Sequence, residues 1–336
     1  MTNYIVRRFL LMVPTLLGIT VACFVLVQFV PGGPVEQIIA KVRAYSSTRG
    51  QVTKQMSAEE INNIKAYFGF DKPAYVRYFT WLGNLARGDF GTSYVYQQPV
   101  LTVIMSKIPI TLFFALVSFV LAYLISIPLG VRKALHHGGW FDGISSGLIF
   151  AGYVIPSYAL GIVLIVFFAG GSYLDWFPLS GIVSDNYENL SGFDQILDFL
   201  HHIVLPLICY IVGDFAILTL LMKNSILEEL GKDYVRTARA KGLSFHATIW
   251  NQVFRNSLIP IATGIGGIFT LMFAGSLLVE RVFDIDGMGL LFYNSILGRD
   301  YNVVLGIIVL TSVLTMLGRL FSDIVYVMVD PRIRFD

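Results

Sequence analysis

The chain has 336 residues, of which 55% are hydrophobic and 14% charged, and a net charge of +2. A soluble domain carries about 25% charged residues, so this chain cannot dress a water-facing surface over most of its area, and an ordinary soluble enzyme is excluded. A polytopic membrane protein is implied, in which the placement of the charges matters more than their sum.

A spanning helix needs about 20 mainly apolar residues. Six stretches qualify: residues 9–30, 108–131, 147–169, 203–222, 258–279 and 302–328. The first follows Arg7 and Arg8 and resembles a signal peptide, but its apolar run is too long and no small-residue cleavage site follows, so an uncleaved anchor is expected. Lys and Arg in short flanks set orientation. Basic residues gather at the amino terminus, at Arg132 and Lys133, at Lys223, Lys232, Arg236, Arg239, Lys241 and Arg255, and at Arg332 and Arg334. Residues 170–202 contain no Lys or Arg and carry Asp175, Asp185, Glu188, Asp194 and Asp198. With six spans this places both termini in the cytoplasm.

Between the first two spans, residues 41–56 read as a polar loop. Ser57-Ala-Glu-Glu60 is a capping box opening a short helix with Ile61, Ile64 and Phe68 on one face and Gly69 as its stop. After the Asp71-Lys-Pro73 turn, the spacing predicts a second amphipathic helix with Tyr75, Phe79, Leu82 and Leu85 or Ala86 on its packed side, closed by Gly88-Asp-Phe-Gly91. These pieces are too small for a core of their own. The expected division is 1–31 as amino-terminal tip and first span, 32–107 as outer segment, 108–329 as a five-helix core with an inner loop at 223–258, and 330–336 as an inner tail.

Pro128, Gly152 with Pro156, and Pro206 with Gly213 predict kinks within spans. Ala262, Gly266, Thr270 and Ala274 recur every fourth residue in the fifth span, which allows close approach of another helix or lining of a pathway. Cys23 and Cys209 lie in apolar runs and read as small apolar side chains. Among ionisable residues inside spans, Asp214 either lines a hydrophilic pathway or pairs with a neighbouring helix. Arg319 and Asp323, four apart, are expected to neutralise each other, and Glu280 and Arg281 look interfacial. The five histidines (His136, His137, His201, His202 and His246) show no metal spacing, and no metal site is expected. There is no phosphate-binding G-x-x-x-x-G-K-[ST], no H-E-x-x-H and no G-x-S-x-G, so no catalytic role is expected.

The interval between the fourth and fifth spans is patterned. Asp233 is the expected N-cap of a helix Tyr234-Val-Arg-Thr-Ala-Arg-Ala-Lys241, with Tyr234, Val235 and Ala238 on one side and Gly242 as a left-handed stop. Ser244 is expected to cap a second helix bearing Phe245, Ile249 and Val253. A basic loop that only enforces topology would not need these caps, so a docking element is indicated.

Asp233-Tyr-Val-Arg-Thr-Ala-Arg-Ala-Lys-Gly242 and Phe254-Arg-Asn-Ser-Leu-Ile-Pro260 resemble the coupling loop of ABC-importer permeases of the dipeptide and oligopeptide family. Tyr4-Ile-Val-Arg-Arg8, Val30-Pro-Gly-Gly-Pro34, Gly69-Phe-Asp-Lys-Pro73, Gly88-Asp-Phe-Gly-Thr-Ser93, Phe177-Pro-Leu-Ser-Gly181 and Asp330-Pro-Arg-Ile-Arg334 extend the likeness to the first-permease type over nearly the whole chain. Phe167-Phe-Ala-Gly-Gly-Ser-Tyr173, with Gly33 where many relatives have Asp and Gln252 where many have His, is similar to the Yej-type subgroup, linked to peptide and microcin C uptake. Arg236-Thr-Ala238 replaces the Glu-Ala-Ala of the wider importer signature, as throughout the peptide branch.

The resemblance implies an all-α membrane protein with six transmembrane helices, a type I ABC-importer permease fold and a short helical periplasmic segment between helices 1 and 2. It implies a non-catalytic subunit of the bacterial inner membrane that moves peptides. Its partners would be a second permease, two cytoplasmic ATPases and a periplasmic binding protein. ATP and Mg would be bound by the ATPases and no cofactor by this chain. Residues 233–242 would couple to an ATPase. A nickel or glutathione permease of the same family is the alternative, and an ion-coupled secondary transporter using Asp214 or the Arg319–Asp323 pair a more distant one.

Overall fold

The computed structural model describes residues 2–29, 59, 61–62, 66, 71–171, 173–264 and 275–329. The capping box at Ser57, the loop at 41–56, Gly33, Ile64, Phe68, Gly69, Gly266, Thr270, Ala274 and the 330–336 tail lie outside the described residues.

The described elements are helical, apart from isolated bridges. They are α1 (Thr2–Phe29), α2 (Ala74–Ala86), α3 (Val100–Leu135), α4 (Trp140–Val154), α5 (Ser157–Phe168), α6 (Gly192–Leu230), α7 (Asp233–Ala240), α8 (Phe245–Thr248), α9 (Phe254–Ser257), α10 (Ile259–Thr263), α11 (Leu277–Phe283), α12 (Met288–Leu297) and α13 (Tyr301–Val329). Between α8 and α9 the wider-wound turn Ile249–Val253 keeps the chain helical.

Among the described residues, four helices are long and apolar enough to cross a membrane: most of α1, then α3, α6 and most of α13. The third predicted span is not one straight helix. It is broken into α4 and α5, bent by 101°. Pro156 has no N–H to give the preceding turn and drives Ile155 out of helical geometry, to φ −76° and ψ 121°. The fifth predicted span is described only at its ends, as α10 and α11.

The chain forms two compact units. One gathers residues 6–107 and 291–313, the other residues 1–5, 108–290 and 314–336. In the first unit, α2 packs against α1 through Tyr78 and Trp81, whose rings lie 5.4 and 6.1 Å from that of Phe24. The Tyr78 hydroxyl meets that of buried Thr20 at 3.0 Å. Tyr75 and Phe79, expected on the packed side, are exposed instead. Leu82 and Leu85 are half-buried as expected, and the ring contacts of Tyr78 and Trp81 with Phe24 turn the packed side toward them.

Among the described residues, the second unit holds two apolar clusters. One joins Phe114 of α3, Ile203, Leu205 and Cys209 of α6, and Val279 and Phe283 of α11. The other joins Val131 and Ala134 of α3, Met222 and Ile226 of α6, Val235 of α7, Val253 and Ile261. Between them α3 and α6 approach closely. A Cβ on Gly130 would stand 2.6 Å from Met222 Cβ and 2.9 Å from the Thr219 carbonyl oxygen. The helices also share a bond from Ser126 Oγ to the Phe215 carbonyl, 3.1 Å.

Glu280 is not interfacial: it is fully buried. Its carboxylate accepts from Leu290 N at 2.8 Å, Ser276 N at 3.2 Å and the Tyr210 hydroxyl at 3.2 Å. Three donors in place of water make its burial tolerable. Asp323 is held by the Tyr4 hydroxyl at 2.9 Å. Among the described residues it makes no ion pair with Arg319, which is exposed; the i,i+4 spacing allowed that pair, but tertiary packing chose a partner on another helix.

Because a backbone carbonyl cannot yield to an added side chain, Gly130→Leu is expected to force α3 and α6 apart. Overpacking of this kind costs about 1–3 kcal/mol. A clear fall in the thermal midpoint of the solubilised protein is expected, and an unchanged midpoint would show that the contact is dispensable.

Candidate functional site

The best-built exposed element is α7 with its flanks. It follows α6 after only Gly231 and Lys232. Asp233 is the first residue of the helix, not its cap; Lys232 holds the cap position. Asp233 still places negative charge in the first turn, where the helix dipole favours it. Its side chain is 96% exposed and lies 3.7 Å from that of Arg236, itself 81% exposed.

At the other end, Gly242 N donates to the Arg239 carbonyl at 3.0 Å and Leu243 N to the Ala238 carbonyl at 3.2 Å. This doubly bonded stop needs a left-handed residue, and Gly242 has φ +88°. Ser244 then caps α8, accepting from Ala247 N at 3.2 Å. Ile249 and Val253 are buried as expected, whereas Phe245 is exposed beneath the Arg239 guanidinium, 5.7 Å from the ring centre.

The inner side of α7 is fixed. Val235 and Ala238 are buried. Glu229, in the last turn of α6, accepts from Lys232 Nζ and from the Tyr234 hydroxyl, the latter at 2.5 Å. The bond to Glu229 raises the Lys232 pKa above its ordinary value. That contribution to the anchor is complete below the ordinary lysine value and is lost only as pH climbs through the raised one, so neutral pH does not touch it. Burial, then the same carboxylate, raises the Tyr234 phenol. Tyr234, Val235 and Ala238 thus face the protein. Asp233, Arg236, Thr237, Arg239, Ala240 and Lys241 face outward.

The sequence reading missed Glu229. The signal was its place five residues before Tyr234, across a turn of two residues.

Asp214 lies midway along α6 and is exposed, as are Ile217 and Leu221 further along the same helix. Among the described residues it makes no hydrogen bond or ion pair, though the Tyr123 phenol of α3 is within its electrostatic reach. Ala262 is half-buried in α10. The structure brings neither Arg319 nor Asp323 to Asp214 through any described contact.

On the acidic segment, Asp185, Glu188 and Asp194 are exposed, while Asp198 is tied to Ser184 and His202. His201 bonds the Trp176 carbonyl. Among the described residues no group of His, Cys, Asp and Glu could hold a metal ion. Cys23 and Cys209 are free thiols.

A second charged cluster was not foreseen. Asp142 of α4 meets Lys223 of α6 and Lys133 of α3, with Nζ–O distances of 2.8 and 3.1 Å.

Two family models match the chain. The binding-protein-dependent transport system inner membrane component matches residues 126–335, and the amino-terminal part of such membrane components matches residues 1–115. The inner membrane ABC transporter permease protein YejB of Escherichia coli O157:H7 is 42% identical over the full length of both chains. The peptidoglycan transport system permease protein YejB of Agrobacterium fabrum is 40% identical over all of this chain and 99% of its own. The oligopeptide transport system permease protein AppB of Bacillus subtilis is 37% identical, again over both full lengths.

Tyr234→Phe removes one bond to a charged acceptor, worth about 1.5–3 kcal/mol. The amide hydrogens of α7 are therefore expected to exchange at least tenfold faster while those of α6 above Met222 stay protected. Equal protection in the variant would show that the Tyr234–Glu229 bond does not hold this helix.

Proposed function

We propose a function from one premise: this chain belongs to the inner membrane components of binding-protein-dependent transport systems. It is a transmembrane permease subunit of an ATP-driven peptide importer. The shape of residues 233–242 carries the mechanistic part of the proposal. An eight-residue helix with its inner side buried and tethered presents a charged outer face, and it is joined to a long apolar helix by two residues. Such an element passes a push along rather than absorbing it.

In this reading α7 seats in a groove of a cytoplasmic ATPase, and closure of two ATPases around ATP and Mg displaces α6. A second, homologous permease completes the pathway. Six spans, with residues 1–31, 32–107, 108–329 and 330–336 as tip and first span, outer segment, core and tail, put both termini in the cytoplasm, on the side of α7. The exposed carboxylates of Asp185, Glu188 and Asp194 then face the external binding protein. Small residues from Ala262 onward allow another helix, or the cargo, to come close.

Asp214 fits a pathway. A charge at the middle of a span is costly against lipid and is met almost always at a bundle interior or a water-filled cavity. Arg319 faces outward near the inner end of α13, and Asp323 serves to hold α1.

Gly242→Val must either hold a β-branched residue at positive φ, at a cost of about 1–3 kcal/mol, or unwind the stop. The expected result, in the assembled transporter reconstituted with its binding protein, is normal insertion with peptide uptake reduced tenfold or more. Uptake at the wild-type rate would sink the coupling assignment. Asp214→Asn is expected to slow uptake of lysine-containing tripeptides more than of glutamate-containing ones; equal effects on both would remove Asp214 from the pathway.

A further inference from the structure

The α3–α4 turn carries a charge arrangement that topology alone does not require. Lys133, in the last turn of α3, is fully buried. Its ammonium donates to the Asp142 carbonyl at 3.1 Å and to the hydroxyls of Ser145 and Ser146 at 2.6 and 2.8 Å. It also lies 3.1 Å from Asp142 Oδ1. Lys223 reaches across from α6 and donates to both carboxylate oxygens of Asp142, each at 2.8 Å. Gly138 N and His137 Nδ1 complete the shell at 3.2 Å each. One carboxylate, 7% exposed, therefore joins the last turn of α3, the first turn of α4 and the body of α6, and it does so with charges that bulk water hardly reaches.

The position of Lys223 gives this cluster a mechanical meaning. It is six residues before Glu229, which on a helix is about 9 Å, and Glu229 anchors α7. From α7 inward the links run Tyr234 and Lys232 to Glu229, along α6 to Lys223, and through Asp142 to Lys133 and the start of α4. Packing at Gly130 holds α6 against α3, and the Lys223–Asp142 pair adds a polar link from α6 to the first turn of α4. Parting a buried pair strands its charges at a cost of about 3–5 kcal/mol, so a shift of α6 that would part Lys223 from Asp142 carries α4 with it. α4 leads into the 101° bend and α5.

We infer that the Lys133–Asp142–Lys223 cluster conveys the displacement of α7 to the α3–α4 turn, which makes Lys223 a positioning residue for transport. This rests on the reading of α7 as the ATPase-coupling helix.

The test is made on the complete transporter in proteoliposomes with its binding protein, using a labelled tripeptide that the binding protein captures. Peptide uptake and ATP hydrolysis are measured together. For Lys223→Met the expected result is normal co-purification of the ATPases, ATP hydrolysis within twofold of wild type, and at least a tenfold loss of peptide moved per ATP. Lys223→Arg, which keeps the charge, is expected to recover most of that ratio. A merely structural role would change yield and midpoint but not the ratio. Wild-type peptide per ATP in Lys223→Met overturns the proposal.

If Lys223→Met does not assemble, the neutral triple variant Lys133→Met, Asp142→Asn, Lys223→Met removes the cluster without stranding a buried charge. Assembly with a low ratio supports the inference. Assembly with a normal ratio, or failure of this variant also to assemble, overturns it in favour of a folding role. Failure of the underlying reading is separately visible: there Gly242→Val transports normally, whatever the cluster variants do.

Discussion

The close approach of α3 and α6 at Gly130 is the constraint on which the α7-bearing half of the larger unit depends. With no side chain at that position the two backbones meet beside Met222 and Thr219. The next residue of α6 is Lys223, and one turn further along α3 is Lys133. Once the apolar surfaces lock at Gly130, both ammonium groups are delivered to the same small volume, where only a carboxylate makes their burial tolerable. Asp142 supplies it from the first turn of α4. The register of the ionic cluster is thus inherited from a packing contact.

The same contact orders what lies beyond it. Met222 and Ile226 of α6 share an apolar cluster with Val131 and Ala134 of α3, and that cluster includes Val235 of α7, Val253 and Ile261. The outward-facing helix is therefore rooted in the core rather than hung from a loop. Glu229 adds a polar tether to the apolar one. Together they explain how an eight-residue helix, too short to persist alone in water, is held in shape before any partner binds.

Features encoded by local pattern were legible in the sequence. The long apolar helices, the glycine stop at 242 and the serine cap at 244 each depend on residues within a few positions of one another, as does the kink at Pro156. Features encoded by distant residues were not. Asp142 and Lys223 are 81 residues apart, and nothing local to either one points to the other. The spacing of Arg319 and Asp323 suggested a pair, but Tyr4, 319 residues away, took the carboxylate. On α2, Leu82 and Leu85 are half-buried as expected, but Tyr75 and Phe79 give way to Tyr78 and Trp81, which meet Phe24. Asp233 has a good capping side chain, yet the preceding residue already holds extended geometry, so the helix begins one position earlier than residue type suggests.

Glu280 bears on how the chain is built as well as on how it rests. Its hydroxyl partner, Tyr210, is made 70 residues earlier and its strongest amide partner, Leu290, ten residues later. While the ribosome is still adding that last stretch, the carboxylate has no complete shell and stays costly to place among apolar side chains. The shell around Glu280 is therefore complete only when α6, the entry to α11 and the start of α12 are all in place. Substitutions at Tyr210 or at the glycines around Leu290 would then show themselves during biogenesis, as protein caught by quality control before insertion is finished, rather than as a slower finished transporter.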